Sequence, residues 1–290
     1  MYLGVLGGNI ISPPRHTTWL KKSSNTVSSA DGTSADVWEL DYDVTSPILN
    51  EWAAHFRNHY CLDSEIDLLR GQLSRKDYLN QLKFPTETGG LGPSIRAGDF
   101  GEILVADLLQ WLLGYWVPRV RWSSKVIKNE SPKGSDVIGF RFATDNEHSP
   151  NDVLAVFEAK TKFSASGNNK LQDAINDSTK DHLRIAESLN FIKQKLIDKS
   201  QMTDALKVER FQSPADYPYS RIIGATALFD TNYETEQNLL MASANQTPCL
   251  SNKQKLVPHP NLNELSIVLI RGVDMMQLVH NLYKVAADGA

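Results

Sequence analysis

Val153-Leu154-Ala155-Val156-Phe157-Glu158-Ala159-Lys160 is the stretch on which the reading of this chain turns. Its apolar half is too short for an ordinary helix and suits a strand covered on both faces. The run leads straight into Glu158 and Lys160, ionisable groups that are costly to bury unless they have a task. Side chains two apart on an extended backbone share a face, so the carboxylate and the ammonium stand together at the strand's end. An acid two before a lysine is expected about twice by chance at this composition, so the tripeptide counts for nothing without its setting. Elsewhere in the chain no Asp or Glu stands two before a lysine.

Just upstream, 137–143 reads as another strand, opened by Gly134-Ser135-Asp136. If the two strands pair antiparallel across the loop at 144–152, Asp136 and Glu158 lie side by side. Residues 117–127 read as a third strand. Before them, Phe100, Ile103, Leu104, Leu108 and Trp111 predict a helix over 99–113 that carries Glu102. Downstream, Leu171, Ala174, Ile175, Ile185, Leu189, Ile192 and Leu196 predict one long helix over 170–198. Buried strands follow at 222–229 and 265–270, then a helix at 273–286. The order, αβββαβ with an extra strand and helix, predicts an α/β fold with a mixed central sheet flanked by helices.

Toward the amino terminus the pattern changes. Ile48, Trp52, Phe56 and Tyr60 recur at helical spacing, and 66–82 suggests further helix. The Ser-rich run 23–34 reads as a loop, and Gly7-Gly8 and Gly89-Gly90 as turns, since no Lys-Ser/Thr follows either pair. Pro85 and Thr88-Gly89-Gly90-Leu91-Gly92-Pro93 break the periodicity. The boundary is drawn there: 1–90 as an α-rich accessory, partner-binding region and 91–290 as the domain that carries the chemistry.

With a formal net charge of -4, the chain does not hold nucleic acid through a general positive field. The charge is uneven, however. Asp31, Asp36, Glu39, Asp41, Asp43 and Glu51 come without a single Lys or Arg, whereas Arg119, Arg121, Lys125, Lys128 and Lys133 lead into Asp136. Together with Lys162, that basic set is the candidate DNA-contacting surface; its rival is a merely solvated face. Cys61 and Cys249 do not make a disulfide framework. No segment reads as a membrane span or a secretory leader, and the expected location is the cytoplasm.

Phosphodiester hydrolysis needs a nucleophilic water, neutralisation of charge on the phosphorane oxygens and help for the leaving oxygen. A divalent ion held by carboxylates at adjacent strand ends suits all three needs. Asp136 and Glu158 are the candidate ligands, Glu102 a third carboxylate, and Lys160 the group that holds the attacking water. The competing reading of Glu158 and Lys160 is a salt bridge at a strand end.

Taken together, the Gly101-Glu102 helix, Gly134-Ser135-Asp136, Phe157-Glu158-Ala159-Lys160, and the following helix with Ala174-Ile175 and His182-Leu183 resemble the PD-(D/E)xK nuclease superfamily. More narrowly they are similar to the nuclease subunit of the Hachiman antiphage defence system. The resemblance covers roughly residues 96–196, and Ser135 stands where the superfamily's name has proline. It implies a restriction-endonuclease-like core and a Mg²⁺- or Mn²⁺-dependent DNA nuclease with a helicase subunit as partner. A type II-like restriction endonuclease would share the same centre, and a non-catalytic DNA-binding scaffold would share the fold. In the resembling fold the helix after Lys160 lies beside the site, which makes Gln172 and His182 further candidates.

Other features rank lower. Glu51, His55 and His59 share one face of the first helix, but Phe56 stands where a zinc-protease helix needs Glu. Trp111, Trp116 and Trp122 suit the core better than base stacking.

Overall fold

The apolar run at Val153 opens a strand that continues through Glu158 and Lys160 to Lys162, and seven of its eight leading residues are buried. In this computed structural model the described residues are 4–6, 9–25, 27–145 and 147–290, with the backbone alone for 4–6, 9–11 and His182. Gly7 and Gly8 lie outside them. The strands are β1 Gly4–Leu6, β2 Asn9–Ile11, β3 Leu20–Lys22, β4 Val27–Ser28, β5 Ser34–Leu40, β6 Val137–Arg141, β7 Val153–Lys162, β8 Ser220–Asp230, β9 Thr247–Pro248, β10 Leu256–Val257 and β11 Leu265–Gly272. The helices are α1 Pro47–Asn58, α2 Ile66–Leu69, α3 Arg75–Tyr78, α4 Gly92–Asp107, α5 Lys170–Ser178, α6 Asp181–Asp198, α7 Met202–Glu209, α8 Glu236–Leu240 and α9 Met275–Asp288.

One mixed sheet runs in the order β3-β5-β11-β8-β7-β6, with β4 also on β5. The three pairings β5/β11, β11/β8 and β8/β7 are parallel, and β6/β7 and β3/β5 are antiparallel. Parallel strands need cover on both faces, and the alternation along β7 shows how they get it. Val153, Ala155, Phe157 and Ala159 join the core that holds α1, α4 and α9, whereas Leu154 and Val156 join the one built with α6. Glu158 and Lys160 therefore fall on the α5/α6 side. At Gly101, an added Cβ would stand 2.7 Å from Thr161 Cγ2, so glycine lets α4 lie close on β7 and brings Glu102 beside it.

Several expectations are corrected. Residues 117–127 are not a strand: Trp116 alone bridges to Phe140, Pro118 supplies no donor for a ladder, and the chain continues irregularly into a 3₁₀ turn at Trp122–Ser124. The helix-strand-strand-strand run thus has one strand fewer. The single helix over 170–198 is two, α5 and α6. At the break the Ser178 and Thr179 hydroxyls donate to the carbonyls of Ile175 and Asn176 at 2.9 and 2.7 Å.

The amino-terminal region is not mostly helical. Its Ser-rich run enters β4 and β5, and the acidic stretch contains β5, whose Ala35, Val37, Trp38 and Leu40 are buried. Because β5 pairs with β11, the sheet runs across the boundary drawn at residue 90. Helix α1 packs on α9, where the Tyr60 and Tyr283 hydroxyls meet at 2.5 Å. Among the described residues no helix is long and apolar enough to cross a membrane.

Candidate active site

In the antiparallel register, Val137 lies opposite Phe157, so the residue before β6 faces the residue after Phe157. Asp136 and Glu158 meet there, as the sequence reading expects. Gly134, at φ 100°, turns the chain into this position with a backbone that other residues rarely adopt. The Asp136 carboxylate is fixed from two sides: Oδ2 accepts the Ala159 N–H at 3.1 Å and Oδ1 accepts from Arg121 Nη2 at 3.0 Å. On α4, Glu102 Oε2 accepts from Arg121 Nε at 2.9 Å and from the Trp122 indole at 3.2 Å. Lys160 Nζ lies 3.6 Å from Glu158 Oε2 and 2.8 Å from Asp177 Oδ2, at the end of α5. From α6, Arg184 approaches Glu158 Oε1 at 3.8 Å. The four residues named from sequence converge.

Three residues join them that sequence reasoning did not place. Asp181, the first residue of α6, accepts from Ser135 Oγ at 2.9 Å. Asp177 holds the Lys160 ammonium, and Arg121 bridges Glu102 and Asp136. The first two stand on either side of the α5/α6 break, which no apolar periodicity records. A cleft of about 200 Å³ opens on Asp136, Arg121 and Gly134 and is walled by Val120, Phe191 and Ile192.

Carboxylates outnumber cations here, and their proton affinities show it. Burial, then the Asp136 charge, pushes Glu158 up to about 10. Burial raises Glu102 to about 8, with Arg121 opposing and Asp136 and Asp99 adding to the shift. Asp181 is raised to about 7 by burial, against the Ser135 hydrogen bond. Burial disfavours the Lys160 cation, but Glu158, Asp136 and Asp177 outweigh it and raise its pKa. Such a cluster of hard oxygen donors, with more carboxyl groups than cations, fits a divalent cation such as Mg²⁺ or Mn²⁺ that would take the place of its protons.

The basic stretch behaves differently from a free DNA-binding face. Arg119 pairs with buried Asp107 at 2.7 Å, Arg121 with Glu102 and Asp136, and Lys125 with buried Asp99 at 2.6 Å. Lys128 donates to the Asn80 carbonyl at 2.9 Å, and Lys162 to the Gly167 carbonyl at 2.6 Å. Lys133 is exposed. Gln172 bonds to Asn176 and to the Ser243 backbone, and the His182 side chain lies outside the described residues. Trp122 is buried, and Trp111 and Trp116 are half-buried.

Glu51, His55 and His59 do not converge. Glu51 pairs with Arg15 at 2.8 Å, and His59 Nδ1 donates to the His55 carbonyl at 2.8 Å. His55 instead joins His16 and Asp107 in a cluster whose ligand atoms lie within 4.8 Å of one another. Both imidazoles donate to Asp107 at 3.0 Å.

A protein-family model for HamA matches residues 14–286. The chain belongs to the HamA family. Membership makes it an antiphage defence protein of the Hachiman type, and the match takes in β3 to β5 as well as the strands that carry Asp136 and Glu158. No curated protein matches it.

Proposed function

We propose that this HamA-family chain is a Mg²⁺- or Mn²⁺-dependent deoxyribonuclease with a restriction-endonuclease-like core, acting as the effector of a defence complex that includes a helicase. The observation that carries the proposal is the convergence of Asp136, Glu158 and Lys160 across the β6/β7 register, with Glu102 arriving from α4. Asp136, Glu158 and Glu102 would hold the cation, which would lower the pKa of a bound water and offset charge on the phosphate oxygens.

The chain's own groups supply the rest. Lys160 presents an ammonium next to Glu158, and there it would orient the attacking water and offset charge on a non-bridging phosphate oxygen. Asp177 holds that ammonium at 2.8 Å and so limits its freedom. The Ala159 N–H fixes one Asp136 oxygen, leaving the carboxylate in a single orientation. A helicase partner agrees with an acidic subunit whose Arg119, Arg121 and Lys125 are bound to internal carboxylates, because DNA engagement then falls to another chain.

The test is cleavage of single- and double-stranded DNA with Mg²⁺ by the full chain, alone and with the proposed helicase partner. Glu158→Gln and Asp136→Asn should each slow cutting by at least about 100-fold without loss of the fold. Cutting at the parent rate by both variants would refute the assignment.

A further inference from the structure

Arg121 directs every donor it has to the carboxylate cluster or to the turn that leads into it. Nε gives its proton to Glu102 Oε2 at 2.9 Å. Nη1 donates to the carbonyls of Lys133 at 3.2 Å and Ser135 at 2.9 Å. Nη2 donates to the Pro132 carbonyl at 2.9 Å and to Asp136 Oδ1 at 3.0 Å. A guanidinium has five N–H groups, and all five are used. The side chain is 11% exposed, so this is a sealed fork and not a surface arginine folded back.

Two of its partners are candidate cation ligands, and the other three are the carbonyls of the turn that leads into Asp136. A fixed positive charge thus already sits on Glu102 and Asp136, and the same side chain ties that turn in place. At a few ångströms two cations repel strongly in a partly desolvated site. A divalent ion drawing on Asp136 and Glu102 competes with Arg121 for the charge of both carboxylates, one oxygen of each being held by the guanidinium.

Building on the nuclease reading, we infer that Arg121 is an internal counter-cation that latches the centre in a low-affinity state. Loading the divalent cation loosens the Arg121 fork and the turn at 132–136.

Mn²⁺ titration calorimetry on the full chain tests this directly, because it reads affinity and not activity. Arg121→Gln removes the charge, and its Mn²⁺ dissociation constant should fall by about tenfold. Arg121→Lys keeps the charge and loses the fork, and should stay near the parent value. Unchanged or weaker binding by Arg121→Gln would overturn the latch while leaving the nuclease reading standing, provided Asp136→Asn abolishes binding. If neither the parent nor Arg121→Gln binds Mn²⁺, the metal centre itself is refuted.

Should Arg121→Gln fail to fold, hydrogen–deuterium exchange on the parent decides the matter. Amides 133–136 should exchange faster once Mn²⁺ is added; unchanged or slower exchange overturns the latch.

Discussion

Helix α4 carries two buried acid clusters, and they are built to opposite rules. At Asp107 one carboxylate receives Arg119, His16 and His55, so donors outnumber acids. Burial alone would raise its pKa, yet Arg119, His55 and His16 outweigh that and hold it well below the usual range. A turn and a half earlier, Glu102 shares Arg121 with Asp136, near Glu158 and Asp181, and acids outnumber cations. The first cluster closes its own charge and joins the segment at His16 to the core. The second is left short of positive charge, which suits a site that takes up a cation. The His16/His55/Asp107 group has metal-ligand residue types, but Arg119 already fills the cation's place.

That contrast can be broken by single substitutions. Asp107→Asn strands a buried guanidinium and should cost about 3–5 kcal/mol, read from urea unfolding at neutral pH. A loss below 1 kcal/mol would show the two clusters to be alike.

Cation binding should sharpen the difference next. Mn²⁺ at about 100 times its dissociation constant should stabilise the fold by about 2.7 kcal/mol. Asp136→Asn should abolish that gain in a thermal melt, and His55→Gln should leave it intact. The reverse pattern would move the metal centre to Asp107.

A smaller effect runs against ordinary expectation for a buried substitution. Glu158, with its pKa raised to about 10, keeps its proton at neutral pH in the metal-free chain, so the uncharged Glu158→Gln should change stability by less than about 1 kcal/mol in the same urea experiment. A clear loss of stability would mean that Glu158 is structural.

The pH responses should differ in sign. Glu102 and Glu158 have folded pKa values raised from 4.5 to about 8 and about 10, so their contribution is complete below 4.5 and is lost as pH rises through those values. His16 and His59 are lowered from 6.5, by burial first, so their contribution is present above 6.5 and is lost as pH falls. Metal-free melting temperature should therefore decline on both sides. Glu102→Gln should flatten the alkaline limb alone; an unchanged alkaline limb would contradict the assignment.

Much of this was legible in the sequence, for identifiable reasons. The β7 run and its Glu158/Lys160 ending follow from alternation, and the meeting with Asp136 follows from antiparallel pairing. What stayed hidden depends on irregular chain. The loop after Trp116 has no period, so Arg119, Arg121 and Lys125 look like a solvated basic run. A signal was nevertheless present. Asp99, Glu102 and Asp107 sit among apolar residues on a helix whose one basic residue is Arg96, and such acids need partners. They find Lys125, Arg121 and Arg119 in reverse order, as an antiparallel loop requires. Strand β5 was missed because its acids mask Ala35, Val37, Trp38 and Leu40, while Asp177 and Asp181 were missed with the break between α5 and α6.

Lys160 separates a nuclease from a mere cation-binding cluster. The deciding measurement is DNA cleavage by Lys160→Ala alongside its Mn²⁺ affinity, on the full chain with the proposed helicase partner present. The account expects cutting to fall by at least about 100-fold with Mn²⁺ binding kept within a few-fold of the parent. Cutting at the parent rate, or a parent chain that never cuts DNA under these conditions, would contradict it.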